Sequence, residues 1–368
     1  MTVDEKHMKR AISLAKQGSG WVNPNPVVGA VLVKDGRVIG EGFHEFFGGP
    51  HAEVNAIRAV SDPSGDQIAG STLYVTLEPC SHHGKTPPCV NLIAEKKIAK
   101  VVIGITDQNP VVNGAGIRFL KSRGIEVTVG MMEQQIKELN EVFIKYIQTG
   151  MPFVVLKSAM TLDGKIATVT NASRWITGEA SRRKVHHMRQ QFGSVLIGVD
   201  TVIFDDPLLN IRLKGEWKNP LKVIADTHGR IPMQSKVLTN DPQLTIVATT
   251  QLADPNRLKD IERAGAQILI CPVKDDKVDL AFVMKSLGAM GIDSVMIEGG
   301  STIAFSVLHE GLVDKLISFI APKILGGVNA PTAVGGTGIS SMEDAIELVN
   351  MRTRKIGCDL MIESWIKK

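Results

Sequence analysis

The chain reads as an α/β protein built of two domains. Three observations predict this. Its 368 residues exceed the size at which a single hydrophobic core usually keeps growing. Short apolar runs of strand length alternate with amphipathic helical segments along the chain, the pattern of strands buried in a layered sheet. At Gly150-Met151-Pro152 that pattern is broken and then restarts with a fresh apolar strand. The expected domains are therefore residues 1–150 and 151–368.

In the first domain, Met8, Ala11, Ile12 and Ala15 recur at helical spacing, which predicts a helix over residues 4–17 that Gly18 and Gly20 terminate. After the turn-rich Asn23-Pro24-Asn25-Pro26, an apolar strand is expected over 27–33, and Asp35-Gly36 turns it into a hairpin. A helix begins near His51 and turns Ala56, Ile57 and Val60 inward. Residues 72–77 form a strand that delivers Glu78, Pro79 and Cys80 at its C-terminal end. Pro87-Pro88 leads into another helix with Cys89 in its first turn. Strands over 101–105 and 126–129 follow. In the second domain, strands are expected over 153–159, 195–199, 222–225, 244–248, 294–297 and 316–320. Helices are expected over 179–191, 279–290 and 302–309.

Composition narrows the function. At 43% hydrophobic and 22% charged residues with a net charge of +4, the chain is ordinary for a globular protein. Basic and acidic residues nearly balance in each half, 16 against 15 before the boundary and 26 against 23 after it, so neither half is a basic arm for nucleic acid or membrane. Four cysteines are too few for a disulfide framework. No apolar run reaches membrane-spanning length and no secretory leader is legible, so a cytoplasmic protein is expected.

One cluster carries chemistry. His51-Ala52-Glu53 is followed, after a strand, by Pro79-Cys80 and then by Cys89. His-x-Glu with a later Pro-Cys-x-x-Cys is the signature of zinc deaminases. A catalytic zinc keeps three protein ligands and leaves a fourth position for water. Singly, each part has a plainer explanation, since His-x-Glu is common on helix surfaces and most cysteine pairs are core or surface residues. Together, at helix starts that follow strands, they predict a zinc site, because a helix N-terminus favours thiolate over thiol. His82 and His83, between the cysteines, are alternative ligands. Glu53 lies two residues beyond His51, faces a different side, and is the candidate proton shuttle.

The cysteine spacing departs from the short signature, and the departure is specific. Pro79-Cys80-Ser81-His82-His83-Gly84-Lys85-Thr86-Pro87-Pro88-Cys89, with Asn25-Pro26-Val27-Val28-Gly29, resembles the pyrimidine deaminase domain of the bifunctional deaminase–reductase family of riboflavin biosynthesis. The resemblance implies a cytidine-deaminase-like α/β/α fold, Zn2+ held by His51, Cys80 and Cys89, and Glu53 as the catalytic residue. It also implies a phosphorylated ribosylaminopyrimidine substrate lined by Asn25, His44, Ser81, His82, Lys85, Asp107 and Asn109. Lys85 is the natural phosphate partner, as a flexible point charge. Asn25 and Asn109, each before a proline, also fit simple turns.

No Gly-x-Gly-x-x-Gly follows a strand in the second domain, so a Rossmann site is not expected. Glu298-Gly299-Gly300-Ser301-Thr302 does follow a strand and opens a helix, where bare backbone can approach a phosphate. Thr161-Leu162-Asp163-Gly164-Lys165-Ile166-Ala167, Ser173-Arg174-Trp175-Ile176-Thr177 and Gly198-Val199-Asp200-Thr201-Val202 resemble blocks of the same family's reductase domain. Residues 205–212 and 321–327 continue the likeness. It implies a dihydrofolate-reductase-like α/β fold that uses NADPH. The cofactor contacts implied are Ala159, Trp175, Thr177, Thr201, Asp205 and Thr227, with Gly299, Gly300, Ser301, Thr302, Ile303, Ala304 and Phe305. The substrate contacts implied are Lys157, Ser173, Arg189, Leu209, Arg212 and Glu298, with Lys157 and Asp205 as candidate polarising groups. Taken alone, Arg189 also fits a solvated helix face and Trp175 a packed core. Thr170-Asn171-Ala172-Ser173 departs from the family, which commonly has Gly and a polar residue before the Ser. Asn tolerates left-handed backbone well, so the turn is expected to survive.

The whole chain then reads as an enzyme that deaminates 2,5-diamino-6-ribosylamino-4(3H)-pyrimidinone 5′-phosphate. It next reduces the ribosyl chain to give 5-amino-6-ribitylaminouracil 5′-phosphate. A homo-oligomer is expected, as for many enzymes of this kind. Two other functions compete. A polynucleotide deaminase would need a basic groove and stacking aromatics that the composition does not supply. A non-catalytic zinc module would close its site with a fourth protein ligand, such as His82 or His83.

Overall fold

The computed structural model describes residues 2–61, 67–82, 87–109 and 113–367. It separates into two compact units, Met1–Gly150 and Met151–Lys368. The first unit runs α1 (Val3–Ala15), β1 (Gly29–Lys34), β2 (Arg37–Phe43), α2 (Ala52–Arg58), β3 (Thr72–Leu77) and α3 (Cys89–Glu95). It continues through β4 (Lys100–Ile105), α4 (Ala115–Ser122), β5 (Glu126–Val129), α5 (Glu133–Leu139) and α6 (Glu141–Thr149). Its five strands form one sheet in the order β2-β1-β3-β4-β5, antiparallel on either side of β1 and parallel from β3 to β5.

Glycines show how closely helices lie on both faces of this sheet. A Cβ at Gly42 of β2 would sit 2.3 Å from the Ala56 backbone nitrogen of α2. A Cβ at Gly29 of β1 would sit 2.0 Å from the Ala11 carbonyl oxygen of α1. Gly42 pairs with Ala30, and successive residues alternate faces, so α1 and α2 cover opposite sides. Following the same register through β3 to β4 puts Gly104 on the α1 side, where it meets Ile136 of α5. The unit is an α/β/α sandwich. His51, Cys80, Cys89 and Asp107 all fall at its strand-to-helix turns, with Cys80 and Asp107 just beyond the carboxyl ends of β3 and β4.

The second unit runs β6 (Phe153–Thr161), α7 (Glu179–Gln191), β7 (Ser194–Gly198), α8 (Val199–Asp205), β8 (Leu221–Ala225) and α9 (Lys236–Thr239). Then come β9 (Thr245–Thr249), α10 (Pro255–Arg263), β10 (Gln267–Ile270), β11 (Val273–Lys274), β12 (Lys277–Val278) and α11 (Leu280–Ala289). The last elements are β13 (Ser294–Glu298), α12 (Ser301–His309), β14 (Lys315–Ala321), β15 (Leu348–Ile356) and β16 (Asp359–Ile366). A nine-stranded sheet has the order β10-β9-β8-β7-β13-β6-β14-β16-β15. It is parallel as far as β14, and the C-terminal hairpin adds the antiparallel edge. The parallel strands β7, β8, β9 and β13 are apolar and buried along most of their length, as coverage on both faces requires.

Several boundaries differ from the sequence expectation. Val27 and Val28 precede β1; the Asn140 side chain takes both the N–H and the C=O of Val27 and leaves that residue none for a ladder. The first helix ends at Ala15 and tightens into a 3₁₀ turn over Lys16–Gly18. Val199 opens α8 instead of ending β7, and Leu244 closes a 3₁₀ turn before β9. Helices α4 to α6 and the hairpin of β15 and β16 were not legible. In β15, Asn350 has φ +54° and the register shifts between Val349 and Arg352, which destroys the alternation that marks a strand.

Because α2 lies on bare glycine, Gly42→Ala is expected to destabilise the first unit by about 1–3 kcal/mol, as overpacking does. A urea midpoint equal to that of the wild type would show that α2 is not held by this contact.

Candidate active sites

In the first unit, His51 is the N-cap residue of α2, Cys80 follows β3, and Cys89 is the first residue of α3. One donor atom from each lies within 4.8 Å of the other two. The His51 Nδ1 is 3.4 Å from Cys80 Sγ and 3.3 Å from Cys89 Sγ. Ligands held about 2.0 and 2.3 Å from a tetrahedral zinc would be roughly 3.5 Å apart, so the donor set fits that ion. A hydrogen bond from the Cys89 side chain, then one with His51 and one from the Cys89 N–H, draws the Cys80 thiol well below its ordinary pKa. Cys89 is pushed up by that same shared proton and by burial. Glu53 is buried beside them, and its carboxyl is pushed up to about 7, first by burial and next by the Cys80 charge. A carboxyl in that range can both accept and return a proton near neutral pH.

These residues open on a cavity of about 340 Å³, the size of a small-molecule site. Asn25, His44, His82, Asp107 and Asn109 line it with Glu53. His82 is exposed and is not one of the three clustered donors, while Ser81 is half-buried and outside the cavity wall. His83 and Lys85 lie outside the described residues. The His44 Nδ1 lies 3.0 Å from the Pro50 carbonyl, which can only accept. That nitrogen therefore carries the proton, and Nε2 accepts from the Asn25 amide at 3.2 Å. Burial lowers the His44 pKa, and the charge on His51 acts in the same direction. Asn140 in turn fixes the Asn25 loop, accepting from the Val27 N–H at 2.9 Å and donating to its carbonyl at 3.2 Å. The sequence reading missed an apolar wall of Phe47, Phe143, Tyr146 and Ile147. The last three share one face of α6 at spacings of three and four, a signal that periodicity carries.

In the second unit a cavity of about 600 Å³ opens along β6 and beyond the carboxyl ends of β7 and β13. Register places Glu298 beside Lys157, and the Lys157 Nζ is 3.3 Å from its carboxylate. Arg189 forks onto the same carboxylate with Nε at 2.7 Å and Nη2 at 3.0 Å. Burial acts to raise the Glu298 pKa, but Arg189 and then Lys157 overcome it and hold the group at about 2. Arg189 is buried, not on a solvated helix face. Trp175 is 60% exposed, so it is not core; the Arg182 guanidinium stands 4.6 Å from its ring centre. Asn171 has φ +64°, so the left-handed turn does form without glycine, and Ser173 Oγ donates to Asp205 at 2.7 Å. Gly299 and Gly300 have φ of +75° and +83° and leave bare backbone before α12. Ala159, Thr177, Thr201, Leu209, Arg212, Ser301 and Ala304 complete the expected lining.

Thr227, Thr302, Ile303 and Phe305 are not in that wall. The Thr227 hydroxyl accepts from the Val278 N–H and its carbonyl from Thr250. Ile303 packs toward Gly198, and Phe305 stacks on His309, so both sit on faces of α12 committed elsewhere. Conversely, Arg182, Val185 and His186 line the cavity in one stripe with Arg189 along α7, and the sequence reading missed them. His186 accepts the Arg212 N–H at 3.4 Å; burial, then Arg189 and Arg212, hold its pKa down to about 4, so it is neutral near pH 7.

Residues 1–105 match the cytidine and deoxycytidylate deaminase zinc-binding region, and residues 152–362 match the RibD C-terminal domain. The riboflavin biosynthesis protein RibD of Actinobacillus pleuropneumoniae is 42% identical, over 98% of this chain and 94% of that protein. The protein of the same name from Escherichia coli (strain K12) is 37% identical, over 98% of each. Acinetobacter baumannii RibD, form 1, superposes with a TM-score of 0.88 at 38% identity, covering 100% of this chain and 99% of that one. The Thermotoga maritima diaminohydroxyphosphoribosylaminopyrimidine deaminase/5-amino-6-(5-phosphoribosylamino)uracil reductase superposes at 0.84 with 40% identity and 99% coverage of both chains. No helix among the described residues is long and apolar enough to cross a membrane. With a cytidine-deaminase-like first unit, a RibD-type second unit and such relatives along its full length, the chain belongs to the RibD family of riboflavin biosynthesis and is a bifunctional deaminase and reductase.

Proposed function

We propose that residues 1–150 deaminate 2,5-diamino-6-ribosylamino-4(3H)-pyrimidinone 5′-phosphate and that residues 151–368 reduce the ribosyl chain of the product to a ribityl chain. The convergence of His51, Cys80 and Cys89 beside buried Glu53, at the wall of a small-molecule cavity, carries the first step. The name of the Thermotoga maritima relative supports the choice of substrate for both.

His51, Cys80 and Cys89 would hold zinc, which when bound would supply Lewis acidity toward water near neutral pH. Glu53 takes one proton from the attacking water and passes it to the ring nitrogen; it then carries the remaining proton of the added hydroxyl to the amine, so that the C–N bond breaks, the carbonyl forms and ammonia leaves. Asn25, His44, His82, Asp107 and Asn109 orient the pyrimidine, and the apolar face of α6 covers it. Lys85 is the proposed partner of the ribose phosphate.

In the second unit bound NADPH would supply a hydride for C1′ of the sugar. Gly299, Gly300 and the first turn of α12 offer backbone N–H groups to the cofactor phosphates. Trp175, Thr177, Thr201, Asp205, Ala159, Ser301 and Ala304 position it. Lys157, Arg189 and Glu298 leave a surplus positive charge toward the cavity, and with Arg212 they suit a sugar phosphate. Lys157 polarises the opened sugar, and Ser173 bonded to Asp205 holds the opposite side.

Zinc-loaded protein should release ammonia from the diaminopyrimidinone phosphate; a folded preparation that releases none refutes the first activity. Glu53→Gln is expected to slow that release by about 10²–10⁴-fold, the usual worth of a general acid–base. NADPH oxidation with the deaminated intermediate should be unchanged, and loss of both activities would contradict separate sites. Stripping the metal with a chelator should abolish ammonia release and lower the first unit's thermal midpoint, with recovery on adding zinc. Arg212→Ala should raise the reductase KM about 10–150-fold, the loss of a charge-assisted hydrogen bond of about 1.5–3 kcal/mol, with little change in kcat.

A further inference from the structure

Glu78 is a buried carboxylate, 3% exposed, that the steps above do not use. Its two oxygens accept three backbone N–H groups. Oε2 accepts from Asp107 at 3.1 Å and from Gly114 at 3.0 Å, and Oε1 accepts from Ile117 at 3.2 Å. The Glu78 N–H itself donates to the Ile105 carbonyl at 2.9 Å. Gly114 and Ile117 belong to the start of α4, where a carboxylate is an ordinary complement to free N–H groups. Asp107 does not belong to that helix. It stands beyond the end of β4, and its own carboxylate accepts the Asn109 N–H at 2.9 Å.

Glu78 thus sits between β3 and Cys80 and holds the segment that brings Asp107 and Asn109 to the cavity. A second contact fastens the same two pieces. A Cβ at Gly116 of α4 would lie 2.2 Å from the Pro79 carbonyl oxygen, so α4 rests directly on the backbone that leads into Cys80. Both contacts set the distance between the Cys80 turn and the polar wall opposite it.

We infer that Glu78 is a positioning residue for deamination, clamping Asp107 and Asn109 at a set place relative to Cys80. The substrate ring bound by that wall is thereby presented to Glu53. This role rests on the deaminase function proposed above. It differs from support of the metal, because Glu78 bonds the substrate wall and none of the three donor side chains.

Glu78→Gln keeps the volume and replaces one accepting oxygen with an amide that cannot accept, so a backbone N–H loses its partner. Alongside wild type, it is assayed for zinc content, ammonia release from the diaminopyrimidinone phosphate, and reduction of the deaminated intermediate. The expected result is a deaminase KM raised roughly tenfold or more with a smaller change in kcat, the split produced by lost substrate positioning. Zinc content and reduction should match the wild type. Gly116→Ala, which keeps the Glu78 carboxylate but sets a methyl against both the Pro79 carbonyl and Glu78 Oε1, disturbs the same clamp; it is expected to give the same KM rise and is the readout if Glu78→Gln fails to fold. Wild-type KM in either folded variant overturns the role, as does loss of zinc, which would place Glu78 in service of the metal. Absence of ammonia release from the wild type would instead refute the deaminase function.

Discussion

Two sulfurs, an imidazole and a carboxylate can share one buried pocket only if their charges are matched, since each uncompensated ion in a protein interior costs several kcal/mol. The first unit is arranged around that constraint. The sulfur of Cys80 receives the Cys89 backbone N–H, and His51 faces both sulfurs. His51 and Cys89 stand where α2 and α3 begin, at the positive ends of those helices. A cation held by the three side chains would complete that balance. The close seat of α2 on Gly40 and Gly42 is part of the same arrangement, because it sets where His51 and Glu53 stand.

The second unit meets the same constraint with the opposite sign. One carboxylate, Glu298, is held by two cations, Lys157 and Arg189, so the buried cluster keeps a net positive charge. Arg212 adds to it at the cavity edge, and His186, one turn from Arg189 on α7, is kept neutral by burial and then by those neighbours. An anionic ligand is therefore the natural complement of this pocket, as a cation is of the other. Both pockets use the place where a buried sheet has only strand ends to offer, the turns beyond its parallel strands. There, short loops bring polar side chains from different strands together without breaking a ladder.

Residues whose type and local setting carry a chemistry were legible; those whose role is a hydrogen bond to distant backbone were not. His51-Ala52-Glu53, Cys80 and Cys89 stand out because their types and their places at strand–helix turns carry the chemistry. Asn140, Glu78 and Asp359 do not. Each is a polar residue whose role is a hydrogen bond to backbone far along the chain: Asn140 to Val27, Glu78 to Asp107 and Gly114, Asp359 to the Gly178 N–H at the start of α7. The α6 wall and the α7 stripe were periodic in sequence, but periodicity shows that a face is committed and not what it faces. Thr227, Ile303 and Phe305, which the likeness places at the cofactor site, also meet Val278, Gly198 and His309, contacts that no spacing announces.

By itself the sequence determined the two α/β units, the order of most strands and of half the helices, the residues that cluster as His51, Cys80 and Cys89, and the reductase blocks. Period, turn residues and motif spacing are local properties, and they survive without a fold. Only the tertiary structure decided that Arg189 is buried against Glu298, that Trp175 is open, and which polar residues share a wall. Those facts depend on strand register, on which face of a helix meets the sheet, and on hydrogen bonds that join residues many positions apart. No spacing along one chain encodes them.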